Sequence, residues 1–273
     1  MSDSFELGRF TGKVAVVTGA AQGIGEATAR LLAARGAAGL VLSDRQADKG
    51  RAVAASISAT GVPTEFIAAE LDDLNQVQVI VPAADMRFGR VDVLVNCAAI
   101  TDRGSVWDTT PELWDRTFAI NVRAPFFLMQ AALQVMDREK IEGAIVNIIS
   151  VNAHGGSNRL APYSASKGAL ATLTRNVAAA VSTRRIKVNG LNIGWVDTPG
   201  EHATLKRFHN ADDDWLVEAE ERQPWGRLIK PDEVARAVAY LASLESGLMT
   251  GALVDFGQYV LGTPFAESTP ARG

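Results

Sequence analysis

The chain has 273 residues, 47% of them hydrophobic, which is enough for one large or two small domains with a sizeable core. A net charge of −4 excludes an overall basic character for nucleic acid or acidic membrane surfaces. The one cysteine, Cys97, rules out an internal disulfide and fits a reducing cytosol; the acidic start is no secretory signal, and no uncharged apolar stretch could cross a bilayer, so a cytoplasmic protein is expected.

The first predicted strand covers 13–17. It runs into Thr18-Gly19-Ala20-Ala21-Gln22-Gly23-Ile24-Gly25, and a helical pattern follows over 23–35. Strand, glycine-rich turn and helix start are the context of a nucleotide-binding loop. Glycines let the backbone approach a pyrophosphate, and the helix start offers free N–H groups. The spacing is G-x-x-x-G-x-G, and a purely structural turn is the alternative. The second strand, 39–43, ends at Asp44, 19 residues after Gly25. A dinucleotide fold places an acid there on the adenosine ribose, where it repels a 2′-phosphate. The turn holds no Lys or Arg, so NAD is expected over NADP; the adjacent Arg45 is the contrary sign, and a helix-capping Asp44 the bland reading.

Helical patterns then cover 46–60, 74–88, 111–137, 161–181 and 231–243, alternating with strands at 64–68, 91–95, 144–149, 186–191 and 252–255. Continuous Val, Ile and Leu runs indicate strands covered on both faces. The alternation predicts an α/β doubly wound parallel sheet of about seven strands with helices on both faces. A single domain over 1–273 is expected, with a core at 11–262 and loose ends at 1–10 and 263–273. Residues 195–225 break the rhythm. They are polar and follow a strand, so an irregular lid or binding loop is expected there.

Ser150 ends the fifth strand. Tyr163 and Lys167 lie at i and i+4 on the next helix and share a face. Small residues surround them in Pro162-Tyr163-Ser164-Ala165-Ser166-Lys167-Gly168, which lets a ligand approach closely.

With these motifs in this order, the chain resembles the short-chain dehydrogenase/reductase family over roughly residues 11–262. The resemblance rests on the glycine turn, Asn96-Cys97-Ala98-Ala99, Asn121, Ser150, Tyr163 with Lys167, and Gly194 with Thr198. It implies a Rossmann-type fold and a catalytic tetrad of Asn121, Ser150, Tyr163 and Lys167. Tyr163 would take or give the hydroxyl proton during hydride transfer. A phenol has a pKa of ~10, and a nearby ammonium together with a positive nicotinamide would lower it by ~2–3 units, roughly 3–4 kcal/mol. Ser150 would fix the substrate oxygen. Lys167 would also bind the nicotinamide ribose, and Asn121 would hold a water. The implied cofactor set is Gly19, Gln22, Gly23, Ile24, Asp44, Glu70, Leu71, Asn96, Ala98, Tyr163, Lys167, Ile193, Val196 and Thr198.

Four departures stand out: Ala99 where the family often has Gly, Ile193 where it has Pro, Glu70-Leu71 for Asp-Val, and Phe256 with Gln258 in place of an Asp-Gly-Gly run expected away from the chemistry. A substrate wall is expected from Ser150, Asn152, His154, Tyr163 and Trp195, with Asn158 and His202; solvated loop residues are the alternative reading. The three histidines lack metal-ligand spacing, so no metal is expected. The run Asp212–Asp214 reads as a solvated face or helix start. Apolar surface on 111–137 and 161–181 (Phe126, Phe127, Leu128, Met129, Leu170, Leu173, Val177) points, by the family's habit, to a homotetramer. The expected activity is NAD-dependent interconversion of a secondary alcohol and a ketone on a polyol, sugar or sugar acid. The alternatives are a carbonyl or 3-oxoacyl reductase using NAD(P)H, and a non-catalytic nucleotide sensor.

Overall fold

The Val, Ile and Leu runs become strands β1 (Val14–Thr18), β2 (Gly39–Asp44), β3 (Thr64–Ala68), β4 (Val93–Asn96), β5 (Ala144–Ile148), β6 (Lys187–Ile193) and β7 (Leu253–Phe256). They form one seven-stranded parallel sheet in the order β3-β2-β1-β4-β5-β6-β7. The helices are α1 (Gly23–Ala34), α2 (Ala47–Ser58), α3 (Leu74–Val77), α4 (Ile80–Phe88), α5 (Pro111–Phe118), α6 (Ala124–Arg138), α7 (Ala161–Val181), α8 (Pro199–His209), α9 (Trp215–Glu221) and α10 (Pro231–Ala242). The computed structural model describes residues 7–210, 212 and 214–260; the expectations for 1–6, Asp213 and 263–273 lie outside the described residues. No helix among the described residues is long and apolar enough to cross a membrane.

Period-two alternation along the strands feeds two cores. Ala15, Val17, Leu40, Leu42 and Val146 meet Leu32 of α1, Ile57 of α2 and Val238 of α10 on one face. Val16, Val41, Leu94, Ile145 and Val188 meet Ile80 of α4, Leu128 and Met136 of α6 and Val181 of α7 on the other. Each fully buried Leu or Ile contributes about 1.5–3 kcal/mol. Phe10 is buried in the first core, and its N–H donates to the Arg35 carbonyl at 2.9 Å. The chain is therefore docked from before residue 11, where a loose end was expected.

Two predicted helices and the segment expected to be irregular differ, each for a local reason. The span 74–88 breaks at Gln78 and Val79. Pro82 has no N–H for the Gln78 carbonyl, and its ring crowds that carbonyl. The span 111–137 opens into a π-turn over Ala119–Arg123 because Pro125 does the same to Asn121. The supposedly irregular 195–225 segment contains α8 and α9. Thr198 caps α8 by accepting the Glu201 N–H at 3.1 Å, and Pro199 starts its first turn. Thr-Pro-x-Glu was the missed signal.

β1 pairs with β2 on one side and β4 on the other, so the connections leave it in opposite directions and a crevice opens at the carboxyl ends. The Thr18 hydroxyl accepts the N–H groups of Cys97 (3.1 Å) and Ala98 (3.2 Å) and draws the β4 exit against the glycine turn. A Cβ on Gly25 would lie 2.2 Å from the Gly19 carbonyl oxygen. That contact is between backbones and has little freedom to relax. Gly25→Ala is expected to cost about 1–3 kcal/mol by overpacking, read as a Tm lower by at least about 3 °C in a thermal melt; an unchanged melt would contradict the close-approach argument.

Candidate active site

A cleft of about 840 Å³ runs along the carboxyl edge of the sheet. At one end it is lined by Gly19, Gln22, Gly23, Ile24, Asp44, Glu70, Leu71 and Ala98, and at the other by Ser150, Asn152, Tyr163, Lys167, Ile193, Trp195, Val196 and Thr198. The sheet thus brings most of the sequence-predicted set into one space.

Ser150 extends β5, and its Oγ accepts the Asn152 N–H at 3.1 Å, which starts a short 3₁₀ turn. Tyr163 and Lys167 lie on the first turns of α7, both buried. Lys167 Nζ donates to the Ile148 carbonyl at 2.8 Å and stands 5.8 Å from the Tyr163 ring centroid. Burial disfavours both charged forms. It pushes the Tyr163 phenol up to about 12, against a hydrogen bond with Ser150 that draws it down. It brings the Lys167 ammonium down to about 8. The sequence reading expected the ammonium to bring the phenol toward neutrality. Burial is the larger influence on the phenol here, and it opposes the lowering that the ammonium and a bound positive nicotinamide would supply together.

Asn121 is fully buried in the π-turn and does not line the cleft. Its Oδ1 accepts the Ile100 N–H (3.0 Å), and its Nδ2 donates to the Ile100 carbonyl (3.0 Å) and the Ser166 hydroxyl (3.1 Å). Ser166 in turn donates to the Tyr163 carbonyl at 2.7 Å. Asn121 therefore ties the β4 exit to the helix carrying Tyr163.

Other expected residues lie elsewhere. Asn96 is buried, donates to Asn147 at 2.8 Å and does not line the cleft. His154 is not brought to the cleft either; its ring nitrogen pairs with Asp255 at 3.0 Å on an exposed surface. His202 hydrogen-bonds Asp197 at 2.7 Å, and Asp197 also takes Lys230 at 2.9 Å, so this histidine pins the base of α8. Conversely, Gly257, Gln258 and Tyr259 line the cleft, correcting the expectation that the segment after β7 lies apart. Sequence reasoning also passed over Arg103, Arg159, Glu201 and His209, which line the substrate end. The available signal was position: Arg103 follows β4, beside the strand-order reversal. Among the described residues no cluster of His, Cys, Asp or Glu is arranged to hold a metal ion.

The glycine end fits a dinucleotide. Gly19 and Gly23 have positive φ, at 68° and 61°. A Cβ on Gly19 would lie 2.9 Å from the Ala98 backbone. Gln22 precedes α1 without a side-chain cap, which leaves its first N–H groups to an anion. Asp44 accepts the Ala21 N–H at 3.1 Å and the Gln46 N–H at 2.9 Å, so its carboxylate also braces the turn.

The family described as Enoyl-(Acyl carrier protein) reductase has a model matching residues 19–257. Galactitol 2-dehydrogenase of Agrobacterium fabrum is 35% identical, over 87% of this chain and 93% of its own. Trans-4-hydroxycyclohexanecarboxylate dehydrogenase of Sinomonas cyclohexanicum is 37% identical, over 92% and 94%. The crystal structure of a 3-oxoacyl (acyl-carrier-protein) reductase from Agrobacterium tumefaciens C58, with NADP bound, superposes with a TM-score of 0.85 at 26% identity, covering 95% of this chain and 98% of that one. Fold, glycine turn and the Ser–Tyr–Lys site define a nicotinamide-dinucleotide-dependent oxidoreductase. The chain belongs to the short-chain dehydrogenase/reductase family.

The Lys167 shift has a signed consequence. The unfolded chain holds this proton up to about 10.5 and the folded one only to about 8. The cost of burying the charge is complete below about pH 8 and is relieved as pH rises toward 10.5. Urea unfolding of the wild type and Lys167→Met should show the wild type gaining on the variant between about pH 7.5 and 9.5, by up to about 2 kcal/mol. A pH-independent difference would contradict the buried-ammonium assignment.

Proposed function

We propose that the protein interconverts a secondary alcohol and a ketone on a polyol, sugar or sugar acid, with NAD as preferred cofactor. The observation that carries this reading is Ser150, Tyr163 and Lys167 converging in the cleft beside a dinucleotide-shaped turn. When bound, the cofactor supplies the hydride acceptor or donor and, oxidised, a positive ring. The chain's own residues do the rest. Ser150 orients the substrate oxygen and stabilises charge developing on it. Tyr163 exchanges the hydroxyl proton at its phenol oxygen. Lys167 holds positive charge under the phenol ring and is available to the nicotinamide ribose. Asn121 is a positioning residue, acting through Ile100 and Ser166. Ile193, Val196 and Thr198 would hold the nicotinamide end, and Gly19, Gln22, Gly23, Ile24, Asp44, Glu70, Leu71 and Ala98 the rest of the cofactor.

NAD preference is supported by Asp44 in the cleft wall and the absence of Lys or Arg from the glycine turn. Arg45 also lines that wall, and the structural relative carries NADP, so the ratio of the two cofactors is the direct test. Relatives named for galactitol and trans-4-hydroxycyclohexanecarboxylate support a hydroxylated substrate. A homotetramer is supported by the half-buried Phe126, Phe127, Leu173 and Val177 and by Trp114, 41% exposed; Leu128, Met129 and Leu170 are already buried within one chain. One observation favours a second reading. The solved 3-oxoacyl (acyl-carrier-protein) reductase superposes over 95% of this chain, which supports carbonyl reduction.

The test is cofactor absorbance with NAD and NADP against galactitol, gluconate and 4-hydroxycyclohexanecarboxylate, and with the reduced cofactors against 3-oxoacyl thioesters. Turnover of a hydroxylated substrate with NAD is expected; turnover of the thioesters alone would move the assignment to the reductase. Tyr163→Phe should retain cofactor binding and lose about 10²–10⁴-fold in kcat. Activity within about tenfold of wild type would remove Tyr163 from the proton transfer.

A further inference from the structure

We infer that Arg103 and Arg159 form a carboxylate subsite at the substrate end of the cleft, so that the substrate is a hydroxylated monocarboxylate rather than an uncharged polyol. The inference rests on the dehydrogenase reading above and narrows it to one substrate class.

The two arginines reach this place by backbone pairing. The Gly104 N–H donates to the Arg159 carbonyl at 3.0 Å, the Ala161 N–H donates to the Gly104 carbonyl at 2.9 Å, and Gly104 bridges Leu160 in parallel. The segment leaving β4 and the segment entering α7 are therefore held side by side, each carrying one arginine. Both arginines line the cleft and an adjoining surface pocket of about 540 Å³.

Arg103 is largely buried, with 18% of its side chain exposed. Nη1 donates to the Thr101 carbonyl at 2.6 Å, and Nε donates to His209 Nε2 at 3.0 Å. The third nitrogen, Nη2, has no hydrogen bond among the described residues. Its nearest carboxylate oxygen, Glu201 Oε1, is 3.6 Å away and already accepts the Trp195 indole N–H at 3.0 Å. The guanidinium is thus fixed in orientation with donors left over. A planar fork with free N–H groups is the geometry that takes a carboxylate.

His209 receives a donor, so its Nε2 is unprotonated there. Burial and the fields of Arg103 and Arg159 hold its pKa below the usual histidine value. It orients Arg103 without adding charge. Arg159 is exposed at the rim, and its guanidinium has no hydrogen bond or ion pair among the described residues. Asp102 also lines the cleft but is paired with Arg116 at 3.8 Å and Arg207 at 3.9 Å. Asp108 of the adjoining pocket is turned to the Ser105 N–H and hydroxyl. Arg103 and Arg159 against Glu201, with His209 neutral, therefore leave one positive charge for a ligand. That matches a monoanion better than a dianionic phosphate ester. The subsite is also close to the chemistry, since the fields of Glu201 and Arg103 both reach the Tyr163 phenol. An acid bound there places a hydroxyl of the same small molecule at Tyr163.

The experiment is equilibrium binding to the full-length protein with reduced cofactor present, using gluconate, gluconamide and sorbitol 6-phosphate as probes, by calorimetry or nicotinamide fluorescence. Gluconate is expected to bind about tenfold or more tighter than gluconamide, since hydrogen bonds to charged groups are worth more than neutral ones. Arg103→Gln should remove most of that preference, Arg159→Gln part of it, and Arg103→Lys should retain an intermediate preference, with reduced-cofactor affinity unchanged in all three. Equal binding of acid and amide, no gluconate binding, tighter binding of the phosphate ester, or a preference that survives in both glutamine variants would each overturn the subsite. Turnover separates this from the underlying reading. If the wild type shows the acid preference in binding but turns over no alcohol or ketone with either cofactor, the dehydrogenase assignment fails and the subsite stands. If polyols turn over with no acid preference, the subsite fails and the dehydrogenase assignment stands.

Discussion

The site depends on one close approach of backbone to backbone. β1 sits where the strand order reverses, and the turn leaving it must pass the segment leaving β4. Gly19 and Gly25 permit the passage because neither has a Cβ to place where Ala98 and the Gly19 carbonyl lie. The Thr18 hydroxyl holds the two segments together by accepting two N–H groups from the β4 side. Asp44 braces the turn from β2 by accepting the Ala21 N–H. The free N–H groups of α1 thereby face the same crevice that α7 enters from the other end.

At that other end, burial competes with electrostatics. Tyr163 and Lys167 are held out of water by the sheet edge and by α7, and the desolvation that makes their positions definite also disfavours their charged forms. The sequence spacing of the pair says that an ammonium lies near a phenol. It does not say how much water either has lost. The same competition gives Arg103 its character, because a guanidinium this little exposed with unfilled donors has surrendered hydration without full replacement by protein atoms.

Much of the architecture was legible. Strands of Val, Ile and Leu alternating with 3.6-period segments require a parallel sheet covered on both faces, and the sheet has that form. The breaks within 74–88 and 111–137 were also written in the chain, as Pro82 and Pro125, but apolar periodicity continues across both and masked them. The latter break matters to the site, since the widened turn holds Asn121 where it can bond both Ile100 and Ser166. The segment 195–225 was misjudged because its helices are polar on the outside and bury only a small cluster of Leu205, Trp215, Ala219 and Leu228.

By itself the sequence determined the elements, the glycine turn, the acid ending β2 and the Ser–Tyr–Lys spacing, because each is set by local backbone geometry or by a short periodicity. Tertiary structure alone decided which polar side chains share the cleft. His154, four residues past Ser150, turns to Asp255, while Arg103 and Arg159, more than fifty positions apart, are brought together by a backbone bridge between two loops. The reason is physical: hydrogen-bond partners, burial and net local charge at a loop-built wall depend on segments that only the closed sheet brings into contact.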